Sequence, residues 1–187
     1  YFIPLRNNTS FHSEVLRYDT TSNFESPNSW STFDVGASGI SVNPVAYEGA
    51  VFDGRYLYFV PNYNGSEYRS EVLRYDTTSN FESAESWSTF DASNYSSDDP
   101  DGYIGGAFDG KYLYFSPLMN GNSFHGEVLR YDTTSNFESP NSWSTFDASA
   151  SGIGVNPVGY EGVVFDGRYV YFAPSGTYQQ YTTISHG

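Results

Sequence analysis

The stretch GAVFDGRYLYFVP, residues 49–61, shows how this chain is built. It contains two short runs of apolar and aromatic residues joined by Asp53 and Gly54. Asp-Gly suits the positive φ angles of a type I′ turn, so the stretch predicts a tight β-hairpin. Close copies, GGAFDGKYLYFSP and GVVFDGRYVYFAP, occupy residues 105–117 and 162–174. A hairpin that recurs at intervals of about 56 residues predicts a repeated, all-β architecture.

A second phrase recurs with the same period and supplies two further strands. EVLRYDTTSNFES begins at Glu14, Glu71 and Glu127. Its first six residues alternate as a half-buried strand does, TTSNFES indicates a turn, and the SWSTFD that follows indicates a short aromatic strand. Four strands in about 56 residues is typical of one blade of a β-propeller, and we expect blades of 56–57 residues.

The repeats divide a single domain, residues 1–187, into units 1–57, 58–113 and 114–170, followed by a C-terminal strand and tail at 171–187. About three blades fall short of the four to eight that close a propeller ring. The chain also begins within a blade rather than at its first strand. We therefore expect a homodimer that completes a six-bladed ring, or a longer native polypeptide that supplies the remaining blades.

Composition excludes several classes of protein. Lys and Arg total 8 against 22 for Asp and Glu, which gives a formal charge of −14 and argues against nucleic-acid binding. The chain has no Cys, which excludes disulfides and thiolate metal sites. No apolar run approaches the roughly 20 residues that span a bilayer, so we expect no membrane insertion. Acidity, a single Lys and near-identical tandem copies favour an extracellular or cell-surface location.

The two phrases together resemble kelch repeats. Kelch units pair a DG-x-x-Y hairpin with a Y-D-x-x-T-N-x-W turn, and residues 53–56 and 18–24 stand at those places. The sequence departs from that pattern at Val60 and Pro61, where kelch has a glycine pair, and at Trp30, which comes late. The chain is also similar to bacterial tandem-repeat proteins of the form FDGRYVYFVPY…VLRYDT…SW. The resemblance implies a β-propeller and leaves the function open.

The repeated charged residues are interpreted as structural. Asp53, Asp109 and Asp166 fall in the hairpin turns, and Asp19, Asp76 and Asp132 open the TTSN turns, where a carboxylate bonds nearby amides. Arg17, Arg74 and Arg130 are interpreted as ion pairs or polar packing between blades. Acid–base catalysis needs two carboxylates in different environments, and these carboxylates come in equivalent sets.

The candidate binding residues lie near the variable loops, because function on a rigid β scaffold usually resides in loops. The loops that differ between units are 5–13, 62–70 and 118–126, and 35–48, 92–104 and 148–161. They are rich in Asn, Ser, Gly and Tyr, which suits recognition of sugars. The candidate ligand-binding residues are Tyr47, Tyr103, Tyr160, His12, Arg69 and His125. The alternative for the three tyrosines is packing between blades.

One acidic cluster lies outside the repeat. Asp98, Asp99 and Asp101 place three carboxylates within four residues, which predicts a candidate Ca²⁺ site. The alternative is a solvated turn. No other cofactor is expected.

These patterns favour a non-enzymatic, lectin-like module that binds a glycan or a protein surface through its loops. One alternative is a structural component of an extracellular assembly with no small ligand. A further alternative is a propeller-type glycosidase, which the equivalence of the repeated acids disfavours.

Overall fold

The computed structural model describes residues 1–8, 10–41, 45–94 and 100–175, and over these ranges the chain is all-β. The strands are β1 Glu14–Tyr18, β2 Trp30–Asp34, β3 Tyr47–Phe52, β4 Tyr56–Pro61, β5 Glu71–Asp76, β6 Trp87–Asp91, β7 Tyr103–Phe108, β8 Tyr112–Pro117, β9 Met119–Asn120, β10 Ser123–Phe124, β11 Glu127–Asp132, β12 Trp143–Asp147, β13 Tyr160–Phe165 and β14 Val170–Pro174. Short 3₁₀ turns occupy Pro27–Ser29, Ala84–Ser86, Ala92–Asn94 and Pro140–Ser142.

In the described ranges the strands form two complete four-stranded antiparallel sheets between two incomplete ones, and β9 and β10 pair as a separate short ribbon. Sheet 1 has the order β3-β4-β5-β6, and sheet 2 has the matching order β7-β8-β11-β12. The N-terminal ribbon, β1-β2, corresponds to the last two strands of such a sheet, and the C-terminal ribbon, β13-β14, to the first two. Each complete sheet combines segments of two sequence units, because a unit begins within the second strand. The predicted all-β fold with four-stranded, blade-like sheets is confirmed.

The Asp-Gly hairpins form as the sequence predicts, and the acid organises each turn. Asp53 Oδ1 accepts the amide protons of Arg55 and Tyr56, and Asp53 Oδ2 accepts the Tyr58 hydroxyl at 2.9 Å. Gly54 adopts a φ of +104°, which glycine tolerates without a Cβ penalty. The same bonds recur in the other two hairpins. The carboxylates of these turns are therefore occupied by structural hydrogen bonds.

Neighbouring sheets are held together by aromatic stacking. Phe33 of the N-terminal ribbon stacks on Trp87 of sheet 1 at 5.2 Å between ring centroids. Phe90 of sheet 1 stacks on Trp143 of sheet 2 at 4.5 Å with an interplanar angle of 5°. Each of these two junctions thus joins a phenylalanine of one sheet to the tryptophan of the next.

The repeated arginines add a second contact to each junction. Arg17 lies 4.3 Å from the ring centroid of Phe81, and Arg74 lies 4.2 Å from that of Phe137. Each arginine also donates from Nε to a serine of its own sheet, Ser31 or Ser88. These contacts support the expected packing between sheets, in the form of cation–π contacts.

The strand directions place the described parts of both sets of variable loops on one side of the molecule, here called the loop face. Loops 62–70 and 118–126 connect second to third strands, and residues 92–94, 100–102 and 148–159 lie between the last strand of one sheet and the first strand of the next. The Asp-Gly hairpins and TTSN turns lie at the opposite ends of the same strands. In the described ranges, no helix has the length and apolar character of a bilayer-spanning segment.

Replacing Phe90 by Ala tests the stacking at the junction. The ring is buried against Trp143, so we expect Phe90→Ala to lower the free energy of unfolding by about 3 kcal/mol. The matched control is Phe52→Ala, because Phe52 is an exposed ring on the same sheet, and there we expect a change within about 0.5 kcal/mol. Denaturant unfolding of both variants gives the comparison, and equal effects would contradict a junction held by this stack.

Candidate functional site

A groove on the loop face is the candidate binding site. It has a volume of about 330 Å³ and lies among the N-terminal segment, sheet 1 and sheet 2. Its lining residues are Leu5, Arg6, Phe11, Glu48, Asn62, Tyr63, Tyr68, Ile104, Leu118 and Met119. Three loops that differ in sequence between the repeats therefore meet at one concave surface.

Aromatic rings form one wall of the groove. Tyr63 lies 5.0 Å from Tyr68 and 6.3 Å from Phe11 between ring centroids, the second pair meeting edge to face. The Arg6 guanidinium stands 5.7 Å from the Phe11 centroid. Flat rings beside a charged donor provide both a stacking surface and hydrogen-bonding capacity.

Glu48 contributes a carboxylate from the inner strand β3. Partial withdrawal from water raises the pKa of Glu48 above its ordinary value, although the side chain stays partly exposed. At neutral pH the group can still accept hydrogen bonds from a polar ligand. The equivalent position in sheet 2 is Ile104, so the groove has no repeat symmetry.

Backbone hydrogen bonds hold the surrounding loops in place. The Arg69 amide donates to the Asn62 carbonyl at 2.7 Å, and the Gly102 amide donates to the Arg69 carbonyl at 3.1 Å. The Gly102 carbonyl accepts from the Leu118 and Met119 amides. Gly102 is therefore the point at which three loops are tied together.

Two of the three candidate tyrosines are buried, so a ligand has no exposed ring face there on which to stack. Tyr47 and Tyr103 are 2% and 0% exposed, so their rings pack inside the protein. Tyr47 packs edge to face on Phe59, and Tyr103 packs on Phe115. Burial also raises the pKa of both phenols well above the ordinary value. The alternative of structural packing thus describes these two residues.

Tyr160, the third of this set, is half-buried and packs on Phe172 of its own ribbon. Its backbone carbonyl accepts the Ser116 hydroxyl at 2.9 Å. Its role in ligand binding stays a prediction.

His12, Arg69 and His125 occupy equivalent positions on three successive loops, and no described cavity is lined by more than one of them. Arg69 pairs with Glu67 at 2.9 Å. The His125 ring lies 5.8 Å from Tyr103, and desolvation lowers the pKa of His125 despite hydrogen bonds to backbone groups of Gly102 and Asp101. The structure therefore distributes these residues rather than assembling them into one site.

The predicted Ca²⁺ site falls mostly outside the described residues. Asp98 and Asp99 lie beyond them, and Asp101 lines a cavity of about 160 Å³ beside Tyr68 and Arg69. Among the described residues, no group of three or more His, Asp or Glu side chains is placed to hold a metal ion. The Ca²⁺ site stays a prediction.

The acids of the TTSN turns accept hydrogen bonds from their own turns, as the sequence predicts. Asp76 Oδ1 accepts the amide and hydroxyl of Thr78, and Asp19 and Asp132 bond their own turns in the same way. Arg55 also pairs with Asp76 at 2.7 Å, and this partner, with Thr78, lowers the pKa of Asp76 to about 2.

The groove residues lie in or beside the variable loops, but none of them is among the candidate ligand-binding residues predicted from the sequence. Phe11, Tyr63 and Tyr68 lie in the variable loops, and the available signal was that aromatic residues there have no structural role in the repeat pattern. Glu48 is the last residue of variable loop 35–48. Glu161 stands at the same place in the third unit, so in the sequence this glutamate resembles a part of the constant repeat.

No known protein-family model matches this chain, and no curated protein matches it significantly. The resemblance to kelch repeats and to the bacterial tandem-repeat proteins therefore stays a prediction, and the function is argued from the site.

Replacing Gly102 by Ala tests whether the loops depend on this position. A Cβ at Gly102 would collide with the Met119 carbonyl oxygen and lie 2.7 Å from Tyr68 Cδ1. Gly110 also has positive φ, but its Cβ would meet open space. We expect Gly110→Ala to cost about 1 kcal/mol for the backbone alone and Gly102→Ala to cost at least about 2 kcal/mol more. Thermal or denaturant unfolding measures both, and similar losses would show that the close approach is unimportant.

The pH dependence of stability tests the Asp76 contacts. Because its folded pKa lies below the value of about 3.9 for an unfolded Asp, its contribution is present above pH 4 and is lost as the pH falls toward 2. We expect Asp76→Asn to lower the free energy of unfolding by roughly 1–2 kcal/mol at pH 7. The difference from wild type should shrink below pH 4. Glu82→Gln, at an exposed carboxylate in the following turn, controls for net charge, and a pH-independent Asp76→Asn deficit would contradict the account.

Proposed function

We propose that this chain is a non-enzymatic binding module whose loop face recognises a glycan. The observation that carries the proposal is the groove itself, in which variable loops of successive repeats bring aromatic rings, a carboxylate and a guanidinium together. Sugars present alternating apolar faces and hydroxyl groups, and this combination of side chains matches both.

Each part of the groove has a distinct task in this proposal. The exposed ring of Tyr63 stacks on a sugar face, with Phe11 and Tyr68 fixing its orientation. Glu48 accepts hydrogen bonds from hydroxyl groups, and Arg6 donates to ring or hydroxyl oxygens. The tied loops supply preorganisation, which lowers the entropic cost of binding.

The sheets are proposed to be blades of a β-propeller, and the protein is proposed to act at the cell surface or outside the cell. Identical sheet order in successive repeats and stacking between neighbouring sheets support the propeller.

The charges in the groove support binding rather than hydrolysis. A glycosidase commonly uses two carboxylates that flank the scissile bond. Among the described residues, the groove is lined by one carboxylate, that of Glu48. The repeated Asp53-type and Asp76-type acids are engaged in turns on the far side of the sheets.

A glycan-array screen of the purified protein, with calcium and again with a chelator, tests the proposed function. We expect binding to one sugar family, and dependence on calcium would support the predicted site at Asp98, Asp99 and Asp101. Retention of binding in chelator would remove that metal from the mechanism.

Two variants in the groove test whether the ligand binds there. We expect Tyr63→Ala and Glu48→Gln each to weaken binding by at least about tenfold, since each removes a main contact. Phe52→Ala removes an exposed ring outside the groove and should leave affinity unchanged. Unchanged affinity in both groove variants would contradict this site, and a blank array from folded protein would favour a protein partner or a structural role.

A further inference from the structure

Glu48 stands at an irregular position in its strand. Tyr47 lies opposite Pro61 and Gly49 lies opposite Val60, so the pairing of β3 with β4 skips one residue. Glu48 is that residue, and the irregularity is a β-bulge. A bulge takes a residue out of the regular pairing and re-aims its side chain. Glu48 lines the groove from this position, so its carboxylate is presented to whatever occupies the groove.

The same bulge in β13 carries a glutamate that has a partner. Glu161 Oε1 accepts the Ser175 hydroxyl at 2.9 Å. In the earlier repeat the residue equivalent to Ser175 is Asn62. The Asn62 amide group donates to the Tyr103 carbonyl at 2.6 Å, and its side-chain oxygen accepts the amide proton of the next residue. Asn62 is therefore engaged elsewhere, and Glu48 lacks the bond that its counterpart Glu161 makes.

Within the described ranges, the Glu48 carboxylate makes no hydrogen bond and no ion pair. Its pKa is raised by withdrawal from water and by no neighbouring charge. Arg6 lines the same groove but does not pair with Glu48, and its guanidinium stands over the Phe11 ring instead. A carboxylate that is partly withdrawn from water and has no partner favours a ligand that brings a positive charge.

The surroundings of Glu48 also favour a cation. The chain has a formal charge of −14, which attracts cationic ligands and repels anionic ones. The rings of Phe11, Tyr63 and Tyr68 line the groove, and the negative face of an aromatic ring attracts an ammonium group. Arg6 is exposed to water, which screens its charge more than that of Glu48.

We propose that the groove binds a glycan that carries free amino groups, with an ammonium group on Glu48. This inference rests on the proposed glycan function and names the class of sugar. A glucosamine unit supplies each complementary group. Its ammonium pairs with Glu48, its hydroxyl and ring oxygens accept from Arg6, and its apolar face stacks on Tyr63. An N-acetylated unit keeps the ring but loses the charge, and a uronate unit brings a second carboxylate beside Glu48.

Titration calorimetry with matched sugars tests the proposal. The probes are glucosamine, N-acetylglucosamine and uronate oligomers of one length, at about pH 6, where amino groups are protonated. We expect the glucosamine oligomer to bind at least about tenfold more tightly than the other two. Equal affinities, or tighter binding of the acetylated or uronate oligomer, would overturn the proposal and leave the glycan function standing. Binding of none of the three would overturn the proposal, and the glycan array then decides the glycan function separately.

Two variants at the equivalent bulges assign the preference to one carboxylate. Glu48→Gln and Glu161→Gln each remove one negative charge, so their effects on net charge are equal. We expect Glu48→Gln to reduce the preference for the glucosamine oligomer to within about threefold, and Glu161→Gln to keep it. Thermal unfolding of both variants shows that the fold is retained. A preference that survives in Glu48→Gln, or is lost equally in both variants, would overturn the role of Glu48.

A pH series gives a readout that needs no substitution. Because the pKa of Glu48 is raised, this carboxylate takes up a proton before an ordinary glutamate does as the pH falls, while the ammonium stays charged. The other titratable groups that line the groove are Arg6, Tyr63 and Tyr68, and none of them changes charge in this range. We expect the affinity for the glucosamine oligomer to fall on acidification and that for the acetylated oligomer to change less. Equal pH dependence for the two oligomers would overturn the pairing with Glu48.

Discussion

The stack of a phenylalanine on the tryptophan of the next sheet is the contact on which the rest of this molecule depends. Individual sheets of four short strands are thin, and they become stable only when both faces are covered. Phe33 on Trp87 and Phe90 on Trp143 provide that cover, and Arg17 and Arg74 extend it toward the turns. Because equivalent residues make the contact at both junctions, each sheet packs on the next in a similar way.

A scaffold held in this way leaves its loops free to differ. The strands, Asp-Gly hairpins and TTSN turns are nearly identical in each repeat, because each copy must satisfy the same junction. The loop face carries no such requirement beyond a few backbone bonds, such as those at Gly102. The aromatic groove with Glu48 lies on this face, so the constant scaffold and the variable loops occupy different parts of the molecule.

The repeat period, the strands and the roles of the turn acids could be predicted from the sequence, because local chemistry determines them. Asp53 and Asp76 bond to amides within three residues of themselves, so these turn bonds depend on no distant contact. The pairing of Asp76 with Arg55 is the part that local chemistry does not determine. The groove could not be predicted in this way. Tyr63, Glu48 and Arg6 meet only because neighbouring repeats stack side by side. Tyr103 looked like a candidate by its position, but its burial depends on the neighbouring loop and on His125.

The central claim is that the stack of a phenylalanine on the tryptophan of the next sheet holds sheet 1 against sheet 2. Hydrogen exchange of the backbone amides of β11, which pairs with β8 and β12 in the middle of sheet 2, tests this directly in Phe90→Ala, with Phe52→Ala as the control. The account predicts that Phe90→Ala lowers the protection of the β11 amides, because Trp143 on the adjacent strand loses its stacking partner, and that Phe52→Ala leaves their protection unchanged. Unchanged protection of β11 in Phe90→Ala would contradict it.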